Sequence, residues 1–231
     1  MKKIGLIFAM EEELDDFKEN VKIINEYNIF NLHFYETIIK NIKCIFTICG
    51  VGKVNAARTT QILIDNFYVE IIINVGVAGG INTSLSVGDI VVGEKLVQHD
   101  FDITAFNHEK GYIPQVGVYI KSDDYLVQLA EESLKEDNIS FFKGVIASGD
   151  IFCTDSNMSM KIAAKFNALA VEMEGASIAQ VCYLSHIPFL ILRCISDIPN
   201  NHNVITYEEF LKDSSKKIAN CLLNLLNRIN I

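Results

Sequence analysis

No apolar run in this 231-residue chain reaches the length that a membrane-spanning helix needs. Basic residues are scarce as well. Lysine and arginine total 20 against 29 acidic side chains, for a formal charge of -9, and they form no cluster able to neutralise several phosphates at once. A nucleic-acid surface is thereby excluded. The six cysteines, Cys44, Cys49, Cys153, Cys182, Cys194 and Cys221, include no Cys-x-x-Cys pair and share no zinc-site spacing with the histidines. They read as small core residues in a reducing compartment, the cytoplasm. His33, His99, His108, His186 and His202 are equally scattered and read as surface or loop side chains, so no metal is expected. The basic start, Met1-Lys-Lys3, leads into only a short apolar stretch before Glu11-Glu-Glu13, where a secretory leader needs a longer one and a cleavage site. Tracts rich in proline, glycine and serine are absent, as are repeats, so residues 1–231 are expected to form one domain.

Half of the chain is hydrophobic, enough to bury one sizeable core. Ile4 to Phe8 reads as a buried strand, followed by a charged segment with Leu14 and Phe17 on one helical face. Phe30 to Ile39 and Ile42 to Ile48 flank Lys40-Asn41 as a hairpin. Further strands are expected at Ile71 to Val75, Asp89 to Val92, Gly144 to Ser148, Leu169 to Val171 and Phe189 to Ile195. Helices are expected at Val54 to Phe67, Tyr125 to Glu136, Met158 to Phe166, Glu174 to Ser185 and Tyr207 to Arg228. This alternation predicts an α/β fold, a single-domain three-layer sandwich with a mixed central sheet flanked by helices. The polar segment from His99 to Gly117 carries Phe101, Phe106, Tyr112 and Pro114, and reads as a lid or a partner contact.

The glycine loops fit no nucleotide-phosphate motif. Thr47 stands where a P-loop ending at Gly52-Lys53 needs its first glycine, and Gly76 to Gly80 lacks the G-x-G-x-x-G spacing. Turn geometry explains these glycines, and so does close approach of backbone to a ligand. Three carboxylates follow predicted strands: Glu13, Glu174 and Asp197. In open α/β sheets the ligand crevice lies outside the carboxyl ends of the strands. Asp197 could instead form a turn ahead of Pro199 and Asn200, and Val171-Glu-Met-Glu174 could be an acidic first helical turn. If two of these groups share a water-poor cleft, repulsion and desolvation leave one protonated as an acid and another ionised as a base. That division suits cleavage of a glycosidic bond.

Ala9-Met-Glu-Glu-Glu13, Gly50-Val-Gly-Lys53, Gly76-Val-Ala-Gly-Gly80, Val87-Gly-Asp-Ile-Val91, Ser148-Gly-Asp150, Val171-Glu-Met-Glu174 and Arg193-Cys-Ile-Ser-Asp197 stand in the order seen in 5'-methylthioadenosine/S-adenosylhomocysteine nucleosidases. The chain resembles that family along essentially its whole length. The resemblance implies a nucleoside phosphorylase-like fold, a homodimer, no cofactor and small nucleoside thioethers as substrates. It implies that Asp197, positioned by Ser196, is the general acid at adenine N7, that Glu13 is the base for the attacking water, and that Arg193 helps to hold that water. Glu174 would accept from the ribose hydroxyls while Met173 packs on the sugar, and Met10 would line the same pocket. Phe152 would stack on adenine and the Cys153 backbone would read its edge, with Ala78 and Gly79 close to the base. Val51 and Tyr207 would border the 5' substituent, joined by Phe106 and Pro114 from a second subunit.

Val77 departs from the family pattern where many members have serine or threonine, and His108 where an aromatic is frequent. Two rivals remain. A nucleoside phosphorylase would replace water with phosphate, whose recognition favours several guanidiniums; only Arg58, Arg193 and Arg228 are present, and Asn74 stands where related phosphorylases carry arginine. A nucleoside-binding protein without turnover would need no acid and base together.

Overall fold

The computed structural model describes residues 2–199 and 203–229; Asn200 and His202 lie outside the described residues. β1 (Lys3–Phe8) buries consecutive apolar side chains and runs parallel between β4 (Ile42–Ile48) and β5 (Ile71–Gly80). Such unbroken hydrophobicity suits a strand covered on both faces. β3 (Leu32–Ile39) and β4 form the expected hairpin, with Ile39 opposite Ile42 and Lys40 at a φ of +51° in the turn. β2 (Asn25–Ile29) pairs with β3 at the outer edge. Its sequence, Asn-Glu-Tyr-Asn-Ile, lacks apolar alternation because an edge strand need bury little, and it was not foreseen.

The other side of β5 closes on itself. β5 pairs parallel with β10 (Phe189–Asp197), which pairs antiparallel with β6 (Ile90–Gln98). β6 then pairs parallel with β8 (Phe141–Ser148), β8 parallel with β9 (Ala168–Glu172), and β9 antiparallel with the end of β5 at Gly79 and Gly80. Five strands thus form a ring, with the short β7 (Ile120–Lys121) attached to β6. The glycine run predicted to end β5 at Gly76 continues it instead. Glycine is a weak strand former, but here pairing partners on both sides recruit it.

Helices cover the mixed sheet in layers. α1 (Glu11–Glu19), α3 (Asp124–Glu136) and α6 (Asn203–Arg228) pack on one face, over a core that includes Leu6, Phe8, Phe17, Ile73, Leu192 and Leu222. α2 (Lys53–Phe67) and α5 (Gly175–Leu184) pack on the other, over Ile7, Leu63, Ile72, Ile178 and Ile191. α4 (Ser156–Phe166) closes a smaller cluster with Val145, Phe166 and Ala168. This is the α/β sandwich with a mixed central sheet that the sequence predicts. No helix among the described residues is long and apolar enough to cross a membrane, and no group of three or more His, Cys, Asp or Glu among them is placed to hold a metal.

The segment from His99 to Gly117 is irregular apart from a 3-10 turn at Thr104–Phe106 and an antiparallel bridge between Ile113 and Gly117. Its base is tied down by the Gly111 N–H, which donates to the Phe101 carbonyl at 2.8 Å, and by His108 stacked on Tyr112 at 4.5 Å. Phe106 is left 75% exposed.

α1 has to be held firmly, because it carries Glu13 on the same face as Leu14 and Phe17. Phe17 is fully buried, with ring centroids 5.6 Å from Phe8 and 5.3 Å from Phe46. Phe17→Ala is expected to lower the free energy of unfolding by about 3–5 kcal/mol. Chemical denaturation measures it, and a loss under about 1 kcal/mol would mean that α1 is anchored elsewhere.

Candidate active site

β1, β5 and β10 are mutually parallel, so their carboxyl ends point the same way, and a cavity of about 500 Å³ opens there. Met10 and Glu13 reach it from the start of α1, Val51 from the turn before α2, and Ala78 and Gly79 from β5. Phe152 and Cys153 come from the loop after β8, Met173 and Glu174 from the junction of β9 and α5, Ser196 and Asp197 from the end of β10, and Tyr207 from α6. Three other candidates are not part of its lining. Arg193 is buried beneath the cavity, while Phe106 and Pro114 stand exposed in the segment from His99 to Gly117.

Glu13 is held by backbone alone. Oε2 accepts from the N–H of Ala9 at 2.7 Å and of Met10 at 3.2 Å, and Oε1 from the N–H of Val77 at 3.0 Å. Burial pushes its carboxyl above the usual range, against the opposing pull of Arg193 and of these three donors. Val77, which cannot offer a hydroxyl, serves through its main chain. Gly76 makes the approach possible, since a Cβ there would lie 2.5 Å from Glu13 Oε1.

Arg193 is the one buried arginine or lysine among the described residues. Nη1 donates to the Leu192 carbonyl at 3.0 Å, and Nη2 donates to Asn74 Oδ1 at 2.6 Å and to Glu172 Oε2. Glu172 also accepts from the Ser148 hydroxyl, from Glu174 N at 3.1 Å and from Gly175 N at 2.7 Å. An acidic side chain at the start of α5 suits the positive end of the helix dipole. Glu174 itself turns into the cavity, where Oε1 accepts from Gly52 N at 2.8 Å. Its carboxyl is pushed up to about 8, first by burial and next by the neighbouring charge of Glu172. Gly52 offers its N–H from a φ of +101°, a conformation costly for any other residue.

On the opposite wall the Ser196 hydroxyl donates to Asp197 Oδ1 at 2.9 Å, and a Cβ on Gly79 would lie 3.4 Å from Asp197 Oδ2. Phe152 meets Tyr207 edge-on at 5.4 Å, and the Tyr207 hydroxyl lies 3.3 Å from Met10 Sδ. Burial raises the Cys153 thiol, which makes it a poor nucleophile.

Glu172 is the functional side chain that sequence reasoning passed over. In Val171-Glu-Met-Glu174 both carboxylates border the cavity, but Glu172 is bound to the buried arginine and Glu174 is not, and the segment alone does not distinguish them. A usable signal existed, namely an acid at the end of a buried strand directly ahead of a helix start.

The family model described as the phosphorylase superfamily matches residues 3–227. A Bacillus licheniformis protein named 5'-methylthioadenosine/S-adenosylhomocysteine nucleosidase is 39% identical over 230 residues, covering 99% of this chain and all of that one. The crystal structure of the Streptococcus pyogenes S-adenosylhomocysteine nucleosidase in complex with 5-methylthiotubericidin matches with a TM-score of 0.96 at 35% identity, over 100% of this chain and 98% of that one. The native structure of a Helicobacter pylori futalosine hydrolase matches with a TM-score of 0.96 at 34% identity, over 99% and 98%.

Two outcomes follow from this geometry. Gly76→Ala is expected to displace Glu13 and lower kcat/KM on the order of 10²-fold, the scale of a misplaced reacting group; steady-state kinetics decide, and an unchanged value would mean that Glu13 has room to spare. Glu174 holds its proton to about 8 in the folded chain, against a usual value of 4.5. The folded state therefore loses stability relative to the unfolded chain as pH rises between those values. Glu174→Gln, which buries no charge, should gain in Tm over the unaltered protein as pH rises from 4.5 to 9. A gain independent of pH would contradict the raised value.

Proposed function

From the membership of this chain in the phosphorylase superfamily and, within it, in the 5'-methylthioadenosine/S-adenosylhomocysteine nucleosidases, we propose that it hydrolyses the N-glycosidic bond of both nucleosides, releasing adenine and the thioribose. The observation that carries this reading is the meeting of Glu13, Glu174 and Asp197 in one cavity, from three distant parts of the sequence. Asp197, oriented by Ser196, gives a proton to adenine N7 as the C1'–N9 bond breaks, so that the bonding electrons leave with a neutral base. The sugar passes through an oxocarbenium-like state. Glu13 takes a proton from the water that adds to C1', and a carboxyl raised by burial is the stronger base for that step. Glu174 binds the ribose hydroxyls, with Met173 against the sugar. Phe152 stacks on adenine, whose edge meets the backbone of Cys153, Ala78 and Gly79.

Arg193 helps to hold that water: Nη1 and Nη2 are taken by the Leu192 carbonyl, Asn74 and Glu172, while its buried Nε has no partner among the described residues and remains a donor. Val51 and Tyr207 border the 5' substituent, and Phe106 and Pro114 complete that pocket from a second subunit of a homodimer. The exposed Phe106 supports such an assembly. 5'-Deoxyadenosine fits the same site, and the enzyme works in the cytoplasm, in methionine salvage and recycling of the activated methyl cycle. The Helicobacter pylori neighbour named a futalosine hydrolase makes an adenine-bearing futalosine a further substrate to assay.

Phosphorolysis is the second reading within this fold. Hydrolysis is favoured because no guanidinium is among the described lining of the cavity. Arg58 donates to the Phe30 carbonyl at the surface, and Arg228 pairs with Glu136 and Asp137.

Adenine release from methylthioadenosine and S-adenosylhomocysteine is expected in phosphate-free buffer, unchanged by added phosphate. Asp197→Asn and Glu13→Gln should each lower turnover by about 10²–10⁴-fold while ligand binding persists. Strict dependence on phosphate, or near-normal turnover in either variant, would overturn the assignment.

A further inference from the structure

We propose that Glu172 is a positioning residue of the reaction: by holding the Arg193 guanidinium and the first N–H groups of α5 on one carboxylate, it neutralises the buried cation of the site and fixes Glu174 at the cavity wall. The inference deepens the nucleosidase reading and rests on it.

The Glu172 side chain is 2% exposed and accepts from four donors, the Ser148 hydroxyl, Arg193 Nη2, Glu174 N and Gly175 N. The Ser148 hydroxyl in turn accepts from Ala176 N at 2.7 Å, so one carboxylate and one hydroxyl together cap the start of α5. The junction leaves little room for change, since a Cβ on Gly175 would lie 3.2 Å from Glu172 Oε2. Glu174 immediately precedes this capped turn, which sets the direction in which its carboxylate leaves the backbone.

Charge matters as much as position. The titratable and charged groups around the pair are Glu13 from α1, Glu174 from the start of α5, Arg193 from β10, His99 after β6, Cys49 after β4, and Tyr207 from α6 beyond Glu13. Asn74 from β5 and Ser148 from β8 complete the shell as neutral partners. In a low-dielectric interior an unpaired guanidinium would pull both Glu13 and Glu174 towards their ionised forms. Glu172 offsets part of that pull. Glu13 then remains a carboxylate of raised basicity, and Glu174 keeps its elevated value.

The pH dependence of kcat/KM separates this role from a purely structural one, because its acid limb reports the base of the free enzyme. Glu172→Gln preserves shape and removes charge, so its acid limb should move down by about one to three pH units, the usual effect of a close opposite charge on a carboxyl. Glu172→Asp keeps the charge with a shorter reach, and Ser148→Ala removes a cap without a charge; both should lower kcat while leaving the limb in place. If Glu172→Gln does not fold, the double variant Glu172→Gln with Arg193→Met removes both charges together, and its limb should not move down. A limb unmoved in Glu172→Gln, an equal displacement in Ser148→Ala, or a limb moved down in the double variant would overturn the proposal. Failure of the nucleosidase reading itself would look different, as the unaltered protein would release no adenine and no limb would exist to compare.

Discussion

A single buried guanidinium, that of Arg193, faces three buried carboxylates, those of Glu13, Glu172 and Glu174. Desolvating four charges in one place is tolerable only if the cation is paired and the surplus negative charge is reduced by protonation. Glu172 takes the pairing. Glu13 and Glu174 are left to bury carboxylates without a dedicated cation, and both are pushed up from their usual values as a result. Carboxyl groups shifted in this way suit the supply and acceptance of protons near neutrality that the proposed reaction requires.

The fold exists to impose it. Arg193 sits at the middle of β10, a strand with all nine residues buried, and cannot withdraw to solvent. β5 brings Asn74 to the guanidinium and Val77 to Glu13, and between them Gly76 lets the carboxylate approach the main chain. Closing the five-stranded ring through Gly79 and Gly80 brings β9, with Glu172, against the same sheet. α1 adds Glu13 from outside the ring, with the packing of Phe17 as its anchor.

Much of this was legible in the sequence where a polar residue interrupts or follows an apolar run. Asp197 after Ile195 and Glu13 after Phe8 stood out in that way, and both line the cavity. The elements with strong periodicity, β1, the hairpin of β3 and β4, α2 and α6, were readable for the same reason. β2 was not, because its polar edge sequence carries no burial signal. The extension of β5 through the glycines was hidden because its cause, pairing with β9 and β10, is tertiary. Glu172 was masked by chemistry shared with Glu174, two residues on. The expectation that Arg193 holds a water came from family resemblance alone, because an arginine inside an apolar run carries no local sign of what its guanidinium meets. Phe106 and Pro114, exposed and outside the lining of the cavity, were singled out by family resemblance and by no local pattern.

The central claim is that a cavity carboxyl retains its proton at neutral pH because burial strips it of water and one cation cannot balance three acids. Infrared difference spectroscopy across a pH titration measures this most directly, with Glu174→Gln as the reference. The account predicts a carbonyl band of a protonated buried carboxyl that persists at neutral pH, disappears with a midpoint near about 8, and is missing from the variant. A spectrum with no protonated carboxyl at neutral pH, or a band that survives in the variant unchanged, would contradict it.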